Sequence, residues 1–221
     1  MSLAHAFTVL DAPQLSSAWI TARLGRLTGS RAADMLATAK GGRKGHTCES
    51  VGRRTLREQL VRERRTGRPH GSTFESAAMR TGLKRQDAAR DWYEALTGTF
   101  MTQTGFLAHD TLQAGVSLDG HVGDFERLVE IKCPLALTHV DYLAAGGKIP
   151  CAHHKQIVHA LWVTGARWCD WMSYHPDFPP ALRGHLVRVA RDEREIATYA
   201  LAVALFLREV DAEALQPPGA A

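Results

Sequence analysis

Long apolar runs are absent from this chain of 221 residues. No stretch approaches the roughly eighteen residues that a helix needs to span a bilayer. No secretory signal pattern opens the chain, so a cytoplasmic protein is expected, with no membrane partner. Cysteine is scarce: Cys48, Cys133, Cys151 and Cys169 are scattered without Cys-x-x-Cys spacing. That argues against a zinc knuckle or a disulfide framework and for reduced thiols. No internal repeat is present, and only the C-terminal "QPPGAA" has the composition of a disordered tail. The glycines of "TARLGRLTGS" do not make a nucleotide-binding loop, because no strand precedes them and no Gly-Lys-Ser/Thr follows.

A large charge excess is also missing, the net charge being +4. The imbalance is local. Residues 40–68 carry Lys40, Arg43, Lys44, Arg53, Arg54, Arg57, Arg62, Arg64, Arg65 and Arg68 against only Glu49, Glu58 and Glu63. Such density suits a phosphate backbone, with Lys40, Arg43 and Lys44 of the loop "AKGGRKGH" as candidate DNA contacts. A solvated helix face laced with salt bridges accounts for the helical part equally well.

The length suggests one domain over 1–221: a mainly helical part over 1–100, a sheet with helices over 101–212, and a tail over 213–221. Hydrophobic spacing predicts helices over 13–22, 30–38, 48–65 (Val51, Leu56 and Leu60 inward) and 73–97. In the last of these Phe74, Met79, Leu83, Trp92 and Leu96 are available for burial. Strand-like segments follow: "GFLAHD", "LQAGVSLDGHV", "RLVEIKC", "RWCDWMSYH" and "GHLVRVAR". Helices are expected at 136–145, 151–164 and 192–211. Helices first, then a small sheet with helices inserted, imply a mixed α/β layer fold.

The chemistry centres on "GVSLDGHVGDFERLVEIK". Within "RLVEIKC" the period of two places Glu130 and Lys132 on one face. Asp119 stands eleven positions before Glu130, and "GHVGD" offers a turn long enough to return the second strand beside the first. Two converging carboxylates repel unless a cation neutralises them, and hard oxygen ligands favour Mg²⁺ or Mn²⁺. Lys132 on the same face is suited to position or deprotonate a water and to stabilise charge on a phosphate. A free lysine titrates near about 10.4, so positioning asks less of it than base action.

"SLDG" followed by "EIKCP" resembles the phage lambda-type exonucleases, a viral recombinase branch of the restriction-endonuclease-like nuclease superfamily. "RLGRLTGS" (23–30) is similar to that family's N-terminal phosphate-binding motif, and "KQIVHALWVTG" (155–165) to its glutamine helix. The resemblance covers roughly residues 19–175. It implies a restriction-endonuclease-like core, a small mixed β-sheet flanked by helices with an N-terminal helical region. It implies that Asp119, Glu130 and the Ile131 carbonyl hold Mg²⁺, with Mn²⁺ able to substitute. Lys132 would orient the nucleophilic water and Gln156 would hold Lys132 or that water. Arg23, Ser30 and Ser117 would receive a 5′-terminal phosphate. The activity implied is a Mg²⁺-dependent exonuclease that degrades the 5′-phosphorylated strand of linear duplex DNA and leaves 3′ overhangs for recombination. A homotrimeric ring, a single-strand annealing partner and a phage or prophage setting in a bacterial cytoplasm are implied with it.

The chain departs from the family pattern at two places. Leu118 stands where proline usually precedes the first aspartate. The glutamate expected on the preceding long helix falls at Gln86, whose uncharged amide binds a second cation, or its water, more weakly. Asp87 points about 100° away on a helix, and Glu75 is a remote alternative. Two rival readings follow: a catalytically weak DNA-end-binding module, and a site-specific endonuclease of the same superfamily. His153, His154 and His159 lack the i, i+4 spacing on one face that helical metal sites use. Trp162, Trp168 and Trp171 read as core or subunit contacts rather than base-stacking platforms.

Overall fold

The computed structural model describes residues 6–40, 47–70 and 77–216. The N-terminal part runs through β1 (Phe7–Leu10), α1 (Ser17–Arg23), β2 (Leu27–Thr28), a 3-10 turn (Gly29–Arg31), α2 (Ala32–Met35), β3 (Thr38–Lys40), β4 (Thr47–Glu49), α3 (Val51–Thr66) and α4 (Ala77–Thr97). Then come β5 (Phe106–His109), β6 (Ala114–Ser117), β7 (Gly120–Val122), β8 (Arg127–Lys132), α5 (Ala136–Ala144), α6 (Cys151–Thr164), β9 (Trp168–Tyr174), β10 (Gly184–Ala190) and α7 (Glu193–Leu215). Among the described residues no helix is long and apolar enough to cross a membrane.

The strands form two four-stranded sheets rather than one, ordered β1-β5-β6-β2 and β10-β9-β8-β7, with β3 and β4 as a separate pair. The segment "LQAGVSLDGHV", which reads as one strand, breaks at Leu118–Asp119. Its first half, β6, pairs with β5 and with β2 in the first sheet, while β7 pairs antiparallel with β8 in the second. Asp119 therefore occupies the crossing between sheets. In β8, alternation sorts the side chains as expected. Leu128 joins the main core with Ile157, Leu161 and Trp171, while Val129 and Ile131 join a second cluster with Ala89, Tyr93 and Met172. One face of this sheet thus meets α6 and the other meets α4.

Several boundaries differ from the sequence expectation for local reasons. The helix expected over 13–22 begins at Ser17, because Ser16 caps it by accepting from the Trp19 N–H at 3.1 Å, and Leu15 before it has φ 68°. The helix expected over 30–38 is a 3-10 turn followed by four residues of α2, and Thr38–Lys40 pairs with β4 instead. Val51 is 70% exposed, because it is the first residue of α3, whereas Leu56 and Leu60 are buried. Leu96 is exposed, and Trp92 fills the space that Gly184 leaves against β10. Phe74, Met79 and Leu83 lie outside the residues whose side chains are described. Residues 213–215, expected in the tail, belong to α7, which runs on to Leu215; residues 217–221 lie outside the described part.

That extension explains the arginine-rich helix. Arg53 contacts Glu49 and Glu209, Arg57 contacts Glu49 and Glu213, and Arg64 contacts Asp211. Arg65 donates to the carbonyls of Glu213, Ala214 and Gln216, satisfying acceptors at the end of α7. These arginines of α3 are engaged in clamping α7, so the salt-bridged face prevails over a phosphate-binding one. The side chains of Lys40, Arg43 and Lys44 lie outside the described residues.

Candidate active site

Asp119 and Glu130 meet because β7 and β8 form the expected hairpin, with Gly120 opposite Val129. Asp119 Oδ2 accepts from the Ile131 N–H at 2.7 Å, and Oδ1 accepts from Gln86 Nε2 at 2.9 Å. The Glu130 carboxylate is buried. Its Oε1 accepts from Lys132 Nζ at 2.5 Å and from Gln156 Nε2 at 2.7 Å, while Gln156 Oε1 accepts from the same ammonium at 3.2 Å. Strand β8 thus supplies a carboxylate and an ammonium two residues apart, α6 supplies the amide that joins them, and the sheet crossing supplies the second carboxyl group.

The electrostatics match this crowding. Burial and then the neighbouring Glu130 charge raise the Asp119 carboxyl to about 7, against weaker lowering by Lys132, the Ile131 N–H and Gln86. For Lys132, burial pulls the pKa down, but Glu130 and Asp119 outweigh it and the net direction is upward. Lys132 is therefore an ammonium suited to orienting a water or steadying a phosphate, not a neutral base. A buried carboxylate and a half-buried one that repel each other form a donor set that a divalent cation would relieve. Among the described residues no group of three or more His, Cys, Asp or Glu stands together. A cation here would draw its remaining ligands from amide or backbone oxygens and water.

The expected phosphate contacts fall close by. Arg23 Nη1 donates to Ser117 Oγ at 3.2 Å, and Ser117 Oγ also accepts from the Trp19 indole N–H at 2.8 Å. The Arg23 guanidinium lies 4.0 Å from the Trp19 ring centre. Burial lowers the Arg23 pKa to about 10 despite the opposing charge of Glu63; even so it remains cationic at neutral pH. Ser30 is not in direct contact with these two, its hydroxyl lying 3.4 Å from that of Thr28. The parallel register of Thr28 with Gly115 nevertheless makes Ser30 and Ser117 leave the same end of the sheet. A Cβ built on Gly29 would come within 3.5 Å of Gln156 Cγ, so this turn abuts the helix that carries the Gln156 amide.

The remaining candidates separate. Gln86 reaches Asp119, whereas Asp87 is exposed and pairs with Arg90; Glu75 lies outside the described residues. His159 is buried between Tyr199 Oη and the Gly115 carbonyl, and His154 contacts Glu195. His153 stacks near Tyr142 and Trp171. Trp171 is fully buried, as its core reading requires. Trp168 instead has the guanidinium groups of Arg127, Arg167 and Arg188 within 5.5 Å of its ring.

Two features of the site were not anticipated. Trp19, one helical turn before Arg23, was available from the i, i+4 spacing alone. The second is the anchor of α4: Tyr93 Oη donates to the buried Asp170 at 2.9 Å, and Arg188 holds that carboxylate through two bonds of 2.8 and 3.1 Å. Gln86 lies seven residues before Tyr93, two helical turns along the same face. The clamp thus sets the height at which Gln86 meets Asp119.

Residues 18–167 match the YqaJ-like viral recombinase domain. The solved structure of an alkaline exonuclease, LHK-Exo from Laribacter hongkongensis, is similar over 90% of this chain and 94% of its own, with 33% identity and a TM-score of 0.79. A structure of LHK-Exo in complex with dAMP gives the same identity, coverage and TM-score. A phage related exonuclease from Haemophilus somnus 129PT shares the fold, with a TM-score of 0.66 and 13% identity over 85% of this chain and 94% of its own. No curated protein matches the sequence.

Proposed function

This chain belongs to the YqaJ-like viral recombinase family, and from that premise we propose that it is a Mg²⁺-dependent exonuclease acting on the 5′-phosphorylated strand of linear duplex DNA. A DNA exonuclease of the lambda-type fold is the coarse identity. The finer reading is digestion in the 5′ to 3′ direction, with release of mononucleotides and 3′ single-stranded overhangs left for recombination. The observation that carries it is the half-buried Arg23 guanidinium donating to the Ser117 hydroxyl, with Ser117 only two residues before Asp119 of the proposed catalytic group.

Asp119, Glu130 and the Ile131 carbonyl would hold the cation. When bound, Mg²⁺ (or Mn²⁺) supplies a Lewis acid for the phosphate and a more acidic water. The chain's own residues then divide the work. Lys132 orients the nucleophilic water and offsets charge on the phosphate, and Gln156 fixes the Lys132 ammonium against Glu130. Gln86 steadies Asp119 from α4. Arg23, with Ser117 and Ser30, takes the terminal phosphate and so sets which end enters. The lambda-type resemblance supports a homotrimeric ring working beside a single-strand annealing protein.

The test compares linear duplexes bearing 5′-phosphate or 5′-hydroxyl ends with closed circles, with and without Mg²⁺. A charge-assisted contact contributes about 1.5–3 kcal/mol, so phosphorylated ends should be degraded about ten- to a hundredfold faster. Arg23→Ala should erase that preference while sparing hydroxyl-ended DNA. Cutting of circles would favour the site-specific endonuclease, and retardation without degradation would favour the end-binding module. Equal loss on both linear substrates would make Arg23 structural.

A further inference from the structure

We propose that Arg127, Arg167 and Arg188, gathered round Trp168, form a separate DNA-backbone site at the end of the β10-β9-β8-β7 sheet away from the candidate active site. The proposal rests on the reading that this chain acts on DNA. In the parallel pairing of β8 with β9, Arg127 stands opposite Trp168 at one end and Lys132 opposite Ser173 at the other. Five residues of strand separate the two ends, about 17 Å. Arg188 comes from β10, where it stands opposite Asp170, two residues from the pair Ala190–Trp168. Arg167 immediately precedes β9, and its N–H donates to the Glu126 carbonyl at 3.0 Å. Three neighbouring strands thus bring their arginines to one edge of the sheet.

The charges in this cluster do not balance. The guanidinium carbons of Arg127, Arg167 and Arg188 lie 5.5, 5.3 and 4.9 Å from the Trp168 ring centre. The ring attracts them but carries no net charge to cancel theirs. The carboxylate among them is the buried Asp170, and it is saturated. Its Oδ1 accepts from Arg188 Nε at 2.8 Å, and its Oδ2 accepts from Arg188 Nη2 at 3.1 Å and from Tyr93 Oη at 2.9 Å. Arg127 Nε stands 4.0 Å from that Oδ2 and, among the described residues, has no hydrogen-bond partner. Among the described residues no carboxylate oxygen lies within 4 Å of the exposed Arg167 side chain. Three cations against one anion leave an excess of two, and an outside anion relieves their mutual repulsion. The arginines of α3 differ, because Arg53, Arg57 and Arg64 each meet a carboxylate of α7.

The donors identify the ligand class. A guanidinium presents a planar fork of N–H groups that matches two phosphate oxygens. The half-buried indole already has guanidinium groups against it, so it supports the arginines rather than offering a ring to an unpaired base. Contacts of this kind read the sugar–phosphate backbone and not its sequence. One strand of a duplex carries a phosphate about every 3.4 Å, so about five phosphates bridge the 17 Å from Lys132 to this edge. A strand whose end lies between Asp119 and Lys132 is thus long enough to be held here as well. The role of such a contact is retention: it keeps the DNA on the protein between one cut and the next without touching the reacting phosphate.

The test titrates the metal-free protein with a linear duplex of about twenty base pairs over a range of salt concentrations. Each phosphate contact contributes about 0.9 to the slope of log affinity against log salt, so Arg127→Gln with Arg167→Gln should lower that slope by about 2. Affinity at low salt should fall by about tenfold or more. Lysine at both positions should keep the slope, because the charge remains. An unaltered melting temperature checks folding, and Arg167→Gln alone, at an exposed side chain, should still lower the slope by about 1. With Mg²⁺ and saturating enzyme, removal of the first nucleotide in a single turnover should keep its wild-type rate in the glutamine variants. A slope unchanged by the glutamine substitutions would overturn the site and leave the exonuclease reading standing. A slope lost equally in the lysine variant would make these arginines structural and overturn it too. A slowed first cut would place them in the catalytic machinery and overturn a separate site. A lowered slope in a protein whose wild type degrades no DNA would support the site and overturn the exonuclease reading instead.

Discussion

His159 is a buried imidazole whose protonation should undermine the fold that carries Gln156, three residues before it on α6. The Gly115 carbonyl can only accept, so His159 Nε2 at 3.0 Å carries the proton and Nδ1 accepts from Tyr199 Oη at 2.7 Å. Burial depresses the pKa from 6.5 to about 4, against a smaller raising by the Gly115 carbonyl, while His109 adds a further lowering. A depressed histidine binds fewer protons folded than unfolded, so stability is full above the unfolded value and falls as pH drops from 6.5 towards 4. The loss from this one group is about 2 kcal/mol at pH 5 and about 3 kcal/mol at pH 4. Asp119, with its pKa raised, acts in the opposite sense, gaining stability as the folded state takes up a proton. The comparison must therefore be between proteins, where this contribution cancels. His159→Gln keeps an amide donor for Gly115 without a titrating ring. Urea unfolding at pH 7.5 should find the variant less stable, and the deficit should shrink by about 2 kcal/mol by pH 5. In melting temperature that is about 4–8 °C for a chain of this size. A deficit that stays constant across this pH interval would show that His159 is not a buried neutral group in the folded state.

Three further outcomes concern catalysis. Asp119→Ala should reduce Mg²⁺-dependent degradation by well over about tenfold, while the metal-free protein still folds because one of two repelling carboxylates is gone; near-normal turnover at saturating Mg²⁺ would remove Asp119 from the site. Lys132→Ala should spare DNA binding and lower the single-turnover rate on bound DNA by about a hundredfold or more; normal cleavage of bound DNA with collapsed affinity would make Lys132 only a phosphate contact. Gln86→Glu, which replaces the amide 2.9 Å from Asp119 Oδ1 by a carboxylate, should lower the Mg²⁺ concentration for half-maximal rate; no change, or a rise, would show that Gln86 does not act on the cation.

The hairpin of the candidate site was legible because its information is local. Alternation in "LVEIK" assigns Glu130 and Lys132 to one face, and a turn of fixed length returns them to Asp119. Nothing local told that β6 and β7 belong to different sheets, since the break at Leu118–Asp119 is set by partners: Gly115 pairs with Thr28, and Gly120 with Val129. The strands Phe7–Leu10 and Leu27–Thr28 were missed for the same reason. Each is four residues or fewer and exists only because β5 or β6 is there to pair with it. The Tyr93–Asp170–Arg188 clamp joins a helix to two strands over 77 and 18 positions, a distance at which spacing carries no signal.

Charge was the least legible property, because a cationic face does not name its anion. Ten basic residues over 40–68 fit DNA as well as protein until the partners are seen. For Arg53, Arg57 and Arg64 the partners are Glu209, Glu213 and Asp211, supplied by α7, 147 to 156 residues downstream. Arg23 is the opposite case, one of only two arginines in the segment "RLGRLTGS". Its half-buried guanidinium rests on an indole and a hydroxyl, and the opposing influence on its charge is Glu63, which itself accepts from the Gly25 N–H at 2.9 Å. A partly desolvated cation whose contacts are neutral is suited to an external anion, whereas a dense cationic helix paired to carboxylates has already found one. The arginines of α3 thus serve a helix–helix face, and Arg23, through Ser117 two residues before Asp119, is the arginine joined to the candidate site.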